Sequence, residues 1–222
     1  MKQKLDRNLK RNLCNWTARA LVLGSAIALF TGLGAVAGQT TEYPRFIRVV
    51  GTTNTPIGWV QFCDTYATEC TTKRADPRDV VLDDKSWNYL IRVNKWANDN
   101  IKPMTDMDHY GMIQWWRYPD DGAGACHSYA LLKRRMLLEA GWPRTALLMT
   151  IVHEKDGEGH AVLTVKTDRG EFILDNLNEK ILPWSETPYS YYKRQSQADP
   201  NVWVALDDPR DAAAATVTSN VR

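Results

Sequence analysis

A cysteine, a histidine and an aspartate, met in that order along the chain, could together run nucleophilic chemistry. Cys126 lies in Gly122-Ala-Gly-Ala-Cys-His-Ser-Tyr-Ala130, where a glycine-rich loop enters a helix. The thiolate is the attacking form of a cysteine. The first turn of a helix favours it, because unpaired backbone N–H groups and the positive end of the dipole lie beside the sulfur. His160 follows Gly159 and opens an apolar strand; Asp175 closes the next one. A histidine can take the thiol proton and later return one to a leaving group. A carboxylate behind it holds one tautomer and stabilises the imidazolium. Each residue also has a plainer reading. Cys126 fits as a small apolar helix residue, and Asp175-Asn176 as the start of a turn.

The other histidines are weaker candidates. His127 adjoins Cys126, and a helix offsets neighbours by about 100°, so its ring is expected to point elsewhere. His153 ends a strand among charged residues, and His109 lies in a polar-aromatic loop, 104–125. Stabilising an oxyanion requires N–H donors. The backbone N–H of Cys126, the amide of Gln114 and the indoles of Trp115 and Trp116 are candidates. The two tryptophans also read as aromatic packing under the loop.

Positioning these groups takes a helix and a hairpin. Residues 126–140 show an amphipathic helical pattern closed by Gly141 and Pro143. Residues 146–152, 160–167 and 171–175 read as strands. Pairing Thr167 with Gly170 across Asp168-Arg169 puts His160 and Asp175 on one side; an odd loop would separate them. A further helix begins at Asp83. Helices followed by an antiparallel sheet give an α+β class. Residues 38–82, rich in Thr, Gly, Pro and Asn, read as an extended arm with short strands or turns. Tyr189, Tyr191, Tyr192 and Trp203 are expected to pack the far side of the domain. Residues 207–222 read as a disordered tail.

The whole chain sets broad limits. Its 222 residues suit one domain with a sizeable core. A net charge of +2, with the basic residues scattered among acids, gives no case for nucleic acid. Lys2, Lys4, Arg7, Lys10, Arg11 and Arg19 precede an apolar run, 20–37, that ends in Ala35-Val-Ala37-Gly38. Residues 1–37 therefore read as an export signal cut after Ala37, with an uncleaved membrane anchor as the alternative. Either places the folded part outside the cytoplasm, and a bacterial periplasm fits best. Cys63 and Cys70 lie close together in sequence and read as a disulfide in an oxidising compartment. Cys126 is then an odd thiol that needs a reason to persist.

From His109 to about Leu206 the sequence resembles the bacterial transglutaminase-like cysteine peptidases, a branch of the papain-like fold. The motifs are Gly124-Ala-Cys-His-Ser-Tyr-Ala130 with Leu132-Lys-Arg, Leu138 and Gly141; His160-Ala-Val-Leu-Thr-Val; Thr167-Asp-Arg-Gly170; and Ile173-Leu-Asp-Asn176 with Trp184 beyond. The resemblance implies a papain-like/transglutaminase-like domain over 83–206, with Cys126 as nucleophile, His160 as base and Asp175 as orienting carboxylate. It also supports the Cys63–Cys70 pairing and an exported location. Studied relatives are calcium-dependent periplasmic proteases that cut surface adhesins and release cells from biofilms. The resemblance therefore implies a protein substrate such as an adhesin and a membrane-bound regulator as partner. Where those relatives carry calcium-binding acids beside the cysteine, this chain has Ala125, His127 and Ser128. Calcium needs several oxygen ligands, so no metal or other cofactor is expected. Asp120 and Asp121 lie nearby but read as a turn, Pro119-Asp-Asp-Gly122. Two alternatives to peptide hydrolysis stay open: acyl transfer to an amine, and a non-catalytic protein that keeps the fold and binds a partner.

Overall fold

The computed structural model describes residues 42–71 and 74–211. The expected leader, 1–37, and residues 212–222 of the expected tail lie outside the described residues. Strand β1 (Arg48–Thr53) is followed by helices α1 (Ile57–Thr65), α2 (Ala67–Cys70) and α3 (Asp84–Asn100). Then come strand β2 (Lys102–Pro103), helix α4 (Asp106–Tyr110), strand β3 (Ala123–Gly124) and helix α5 (Cys126–Glu139). The second half holds β4 (Leu147–His153), β5 (Gly159–Thr167), β6 (Gly170–Leu174), β7 (Leu182–Pro183), β8 (Ser190–Gln195) and β9 (Trp203–Asp207). Seven strands form one sheet in the order β1-β9-β8-β4-β5-β6-β7, and each neighbouring pair is antiparallel. Strands β2 and β3 pair separately and in parallel. This is an α+β fold with helices packed on an antiparallel sheet.

Helix α5 is held by apolar side chains. Ala130, Leu131 and Leu137 pack with Leu147 and Met149 of β4 and Leu163 and Val165 of β5, and α3 adds Leu90 and Val93. The start of α3 is fixed by a capping box. Ser86 N–H donates to Asp83 Oδ1 at 2.7 Å, and Asp83 N–H donates to Ser86 Oγ at 2.8 Å.

Residues 42–71 are not an extended arm. Strand β1 is an edge strand of the main sheet, paired with β9, and α1 and α2 are helical. Trp59, Phe62, Cys63 and Tyr66 recur at helical spacing. One face of α1 thus buries Trp59 and Phe62 in a cluster with Trp116, Trp203 and Tyr118. Threonine and glycine on both flanks mask that period in the sequence. The Cys63–Cys70 disulfide ties α1 to α2. Residues 207–211 of the expected tail belong to the fold. Asp207 ends β9, Asp208 is buried, and Arg210 donates to Asp208 and to the carbonyl oxygens of Trp184 and Thr187.

The disulfide-linked helices are joined to α5 by a charged contact. Arg134 is fully buried under Trp59. Its Nη1 donates to Glu69 Oε2 at 3.2 Å, and its Nε donates to the Leu147 carbonyl at 3.2 Å. Arg144 shares the same carboxylate oxygen at 2.9 Å. Removing the carboxylate leaves a buried guanidinium without a counter-charge. Glu69→Ala is therefore expected to cost about 3 kcal/mol, read as a lower urea midpoint at unchanged slope. A loss below about 1 kcal/mol, the value of an exposed pair, would show that Arg134 is satisfied otherwise.

Candidate active site

Cys126 is the first residue of α5. Its N-cap, Ala125, offers no side-chain cap to the first-turn amides, and the Ser128 N–H donates to the Ala125 carbonyl at 2.9 Å. The entering loop is strapped by Lys102 N–H to the Gly122 carbonyl at 2.8 Å and Met104 N–H to the Gly124 carbonyl at 3.0 Å. Gly122 turns with φ +83°, and a Cβ on Gly124 would lie 2.5 Å from Ser128 Cβ. Both glycines are thus required for the chain to enter the helix this closely. The sulfur is half-buried on a cleft of about 550 Å³, among Pro103, Met104, Ala125, Gly159, His160 and Leu177.

The hairpin brings His160 to this cleft. Thr167 pairs with Gly170 and Leu163 with Leu174, so Asp175 continues the register opposite Val162, two residues from His160 and on the same side. His160 Nε2 lies 2.8 Å from Asp175 Oδ1, and both side chains are buried. Asp175 is fixed further. Leu177 N–H donates to Oδ1 at 3.1 Å, Asn98 Nδ2 donates to its carbonyl at 2.9 Å, and Tyr189 O–H donates to Oδ2. Tyr189 thus belongs to this site and not to the far side of the domain. Its position in an irregular stretch before β8 gives no period from which that could be read. Trp203 is buried in the main core, and Tyr192 is exposed.

His127 does not point away. It folds back against the Trp116 ring, with centroids 5.4 Å apart and planes 6° apart. There its charge helps to stabilise the Cys126 thiolate. Its Nε2 lies 3.3 Å from Asp106 Oδ1. That separation is a close ion pair and not an aligned hydrogen bond, since the buried Nε2 has no acceptor in line. The 100° rule fails here because Trp116, from a loop without period, pins the ring.

The cleft does not include the side chains considered as oxyanion donors. Gln114 is exposed, with a left-handed φ of 57°. The Trp115 indole N–H is buried without a partner and does not line the cleft, and Trp116 is in the core. His109 Nε2 pairs with Asp121 Oδ2 at 2.7 Å, His153 packs on Tyr192, and Asp120 pairs with Arg135. The three positions beside the cysteine offer calcium few oxygen ligands. Ala125 has no side-chain oxygen, the His127 ring is taken up by Asp106 and the sulfur, and Ser128 is buried against Gly124.

The electrostatics favour a thiolate. Burial pushes the Cys126 thiol up, but hydrogen bonds from His127 and His160, with their charges, bring it from 9.0 down to about 6. Burial lowers His160, but Asp175 and the sulfur raise it from 6.5 to about 9. Burial raises Asp175, and His160 more than offsets this, so its carboxyl lies below the ordinary value. Lys133, two turns along α5, is buried without a hydrogen-bond partner, and burial lowers its ammonium to about 7. A thiolate beside an imidazolium can attack a carbonyl carbon and protonate a leaving group.

A thiol at the head of a helix packed on an antiparallel sheet, facing a strand-borne histidine, defines the papain-like, transglutaminase-like class. A family model described as bacterial transglutaminase-like cysteine proteinase matches residues 49–211. The chain belongs to that family. Among solved structures, calcium-bound LapG of Legionella pneumophila is 24% identical over 54% of this chain and 69% of its own, with a TM-score of 0.47. EGTA-treated LapG of the same organism is 21% identical over 71% of this chain and 86% of its own, at 0.46. No curated protein matches the chain.

The signs of these shifts give a pH window. The raised His160 contributes stability that is complete below about pH 6.5 and lost as pH rises through about 9. The depressed Cys126 contributes stability present above about pH 9 and lost as pH falls through about 6. The ion pair therefore exists between about pH 6 and about 9. In an NMR titration His160 should stay protonated through neutrality, and Asp175→Asn should pull its midpoint down. A native midpoint at or below 6.5 would show that the pair does not form.

Proposed function

We propose that the protein is an exported cysteine endopeptidase that hydrolyses amide bonds through a thioester. The carrying observation is the Cys126 thiol at the head of α5, sharing a cleft with His160, whose Nε2 lies 2.8 Å from Asp175 Oδ1. Asp175 occupies Nε2, which leaves Nδ1 for the sulfur. The Cys126 thiolate attacks the scissile carbonyl carbon, and an S–C bond forms. The oxyanion meets the first-turn N–H of Cys126. The imidazolium of His160 protonates the leaving amine, and the C–N bond breaks. Water then attacks the thioester, His160 takes its proton, and the C–S bond breaks to release the acid and regenerate the ion pair. Asp175, fixed by Tyr189, keeps the ring oriented and its charge compensated.

An open cleft lined by backbone at Gly124 and Gly159 suits an extended segment of another protein. Family membership makes a protein the natural substrate. Export is supported by the basic and then apolar N-terminal sequence and by the Cys63–Cys70 disulfide. The resemblance to periplasmic adhesin-cleaving proteases makes a cell-surface adhesin the substrate to test first. It also makes a membrane-bound regulator the partner to seek.

Surface-protein fragments should be compared by mass spectrometry in cells with native Cys126 and with Cys126→Ala. The variant should fold normally, lose the fragments, and cut a confirmed substrate at least about a thousandfold more slowly. Normal turnover by the folded variant would rule the proposal out. Products carrying an added labelled primary amine would reveal acyl transfer in place of hydrolysis.

A further inference from the structure

Two histidine–carboxylate pairs flank Cys126, one through its chain neighbour on α5 and one across the cleft. One is His160–Asp175, from β5 and the end of β6. The other is His127–Asp106, from α5 and α4. His127 is only 4% exposed, and its ring lies flat on Trp116. Trp116 is itself held edge-on by Trp59 and Trp203. Asp106 is buried, and its second oxygen accepts the Trp115 N–H at 2.8 Å. The second imidazole is therefore held from its face and from its edge, as a group that positions charge must be. Packing alone would not call for a buried carboxylate beside it, since a buried acid is costly unless paired.

We infer that His127, held by Asp106, is a second cationic positioning residue that keeps the Cys126 sulfur anionic and in place without a divalent cation. This rests on the reading of Cys126 as nucleophile. It divides the work between two rings. His160 must give up and regain a proton in each cycle, so its charge is not constant. His127 faces no leaving group. It keeps its proton because Asp106 and the sulfur, against burial, raise it to about 9. Where relatives place calcium-binding acids, this chain thus places a cation of its own. Other charged groups of the cleft are Lys102, Asp108 and Glu154, and His109 nearby is already paired with Asp121.

The test is the pH dependence of Cys126 alkylation by iodoacetamide in full, EDTA-treated protein, which needs no substrate. His127→Gln keeps an amide in place of the ring edge but carries no charge. It should move the midpoint up by about one pH unit or more, which is about a tenfold loss of alkylation rate below the midpoint. Asp106→Asn should shift it the same way by less, because His127 then loses its proton nearer neutrality. Calcium added to native protein should leave the midpoint unchanged. Circular dichroism and thermal melting report whether each variant folds. If His127→Gln fails to fold, Asp106→Asn carries the test alone. An unmoved midpoint in folded variants would make His127 a packing residue and overturn the inference, as would a calcium-dependent midpoint. Native protein that alkylates at low pH but cleaves nothing would instead remove the peptidase reading and leave this one standing.

Discussion

Everything at the cleft follows from the cost of holding a negative sulfur in a half-buried place. Burial alone would keep Cys126 protonated, and hydrogen bonds and charge from His127 and His160 reverse that. Each imidazole is in turn buried and would prefer to be neutral. Each stays charged because a carboxylate faces it, Asp106 for one and Asp175 for the other. The site is a chain of compensations in which no group is stable in its charge state without the next.

The fold exists, at this end, to hold those groups in register. Helix α5 brings the sulfur, and its apolar face locks it to β4 and β5. The two-residue turn from Thr167 to Gly170 sets the parity that lets Asp175 meet His160. Helix α3 adds Asn98 against the Asp175 carbonyl, and the stretch before β8 adds Tyr189. Further along α5, Arg134 carries the tie through Glu69 to the disulfide-linked helices. Mutations well away from the sulfur can thus alter its setting through rigid elements.

Sequence reasoning reached the parts governed by period and missed those governed by tertiary contact. The α5 helix, the β5–β6 hairpin and the meeting of His160 with Asp175 follow from spacing, because a strand alternates and the turn length is even. Helix α1 was obscured by its Thr- and Gly-rich flanks, although Trp59, Phe62, Cys63 and Tyr66 carry its period. His127, Asp106 and Tyr189 sit in the site through contacts made by Trp116, α4 and an irregular segment. None of those has a repeat. An acid in a loop far upstream of a histidine carries no signal until the loop between them is folded. The one available hint was chemical: a histidine beside a nucleophilic cysteine, where relatives carry acids.

The chemistry proposed for this cleft requires Cys126 to be a thiolate at neutral pH. Its most direct test is the ultraviolet thiolate absorbance of metal-free protein, native minus Cys126→Ser, followed from about pH 4 to about pH 10. The expected midpoint is about 6, the value set by the two imidazoles. A midpoint at or above the ordinary thiol value of about 8.5 would contradict it.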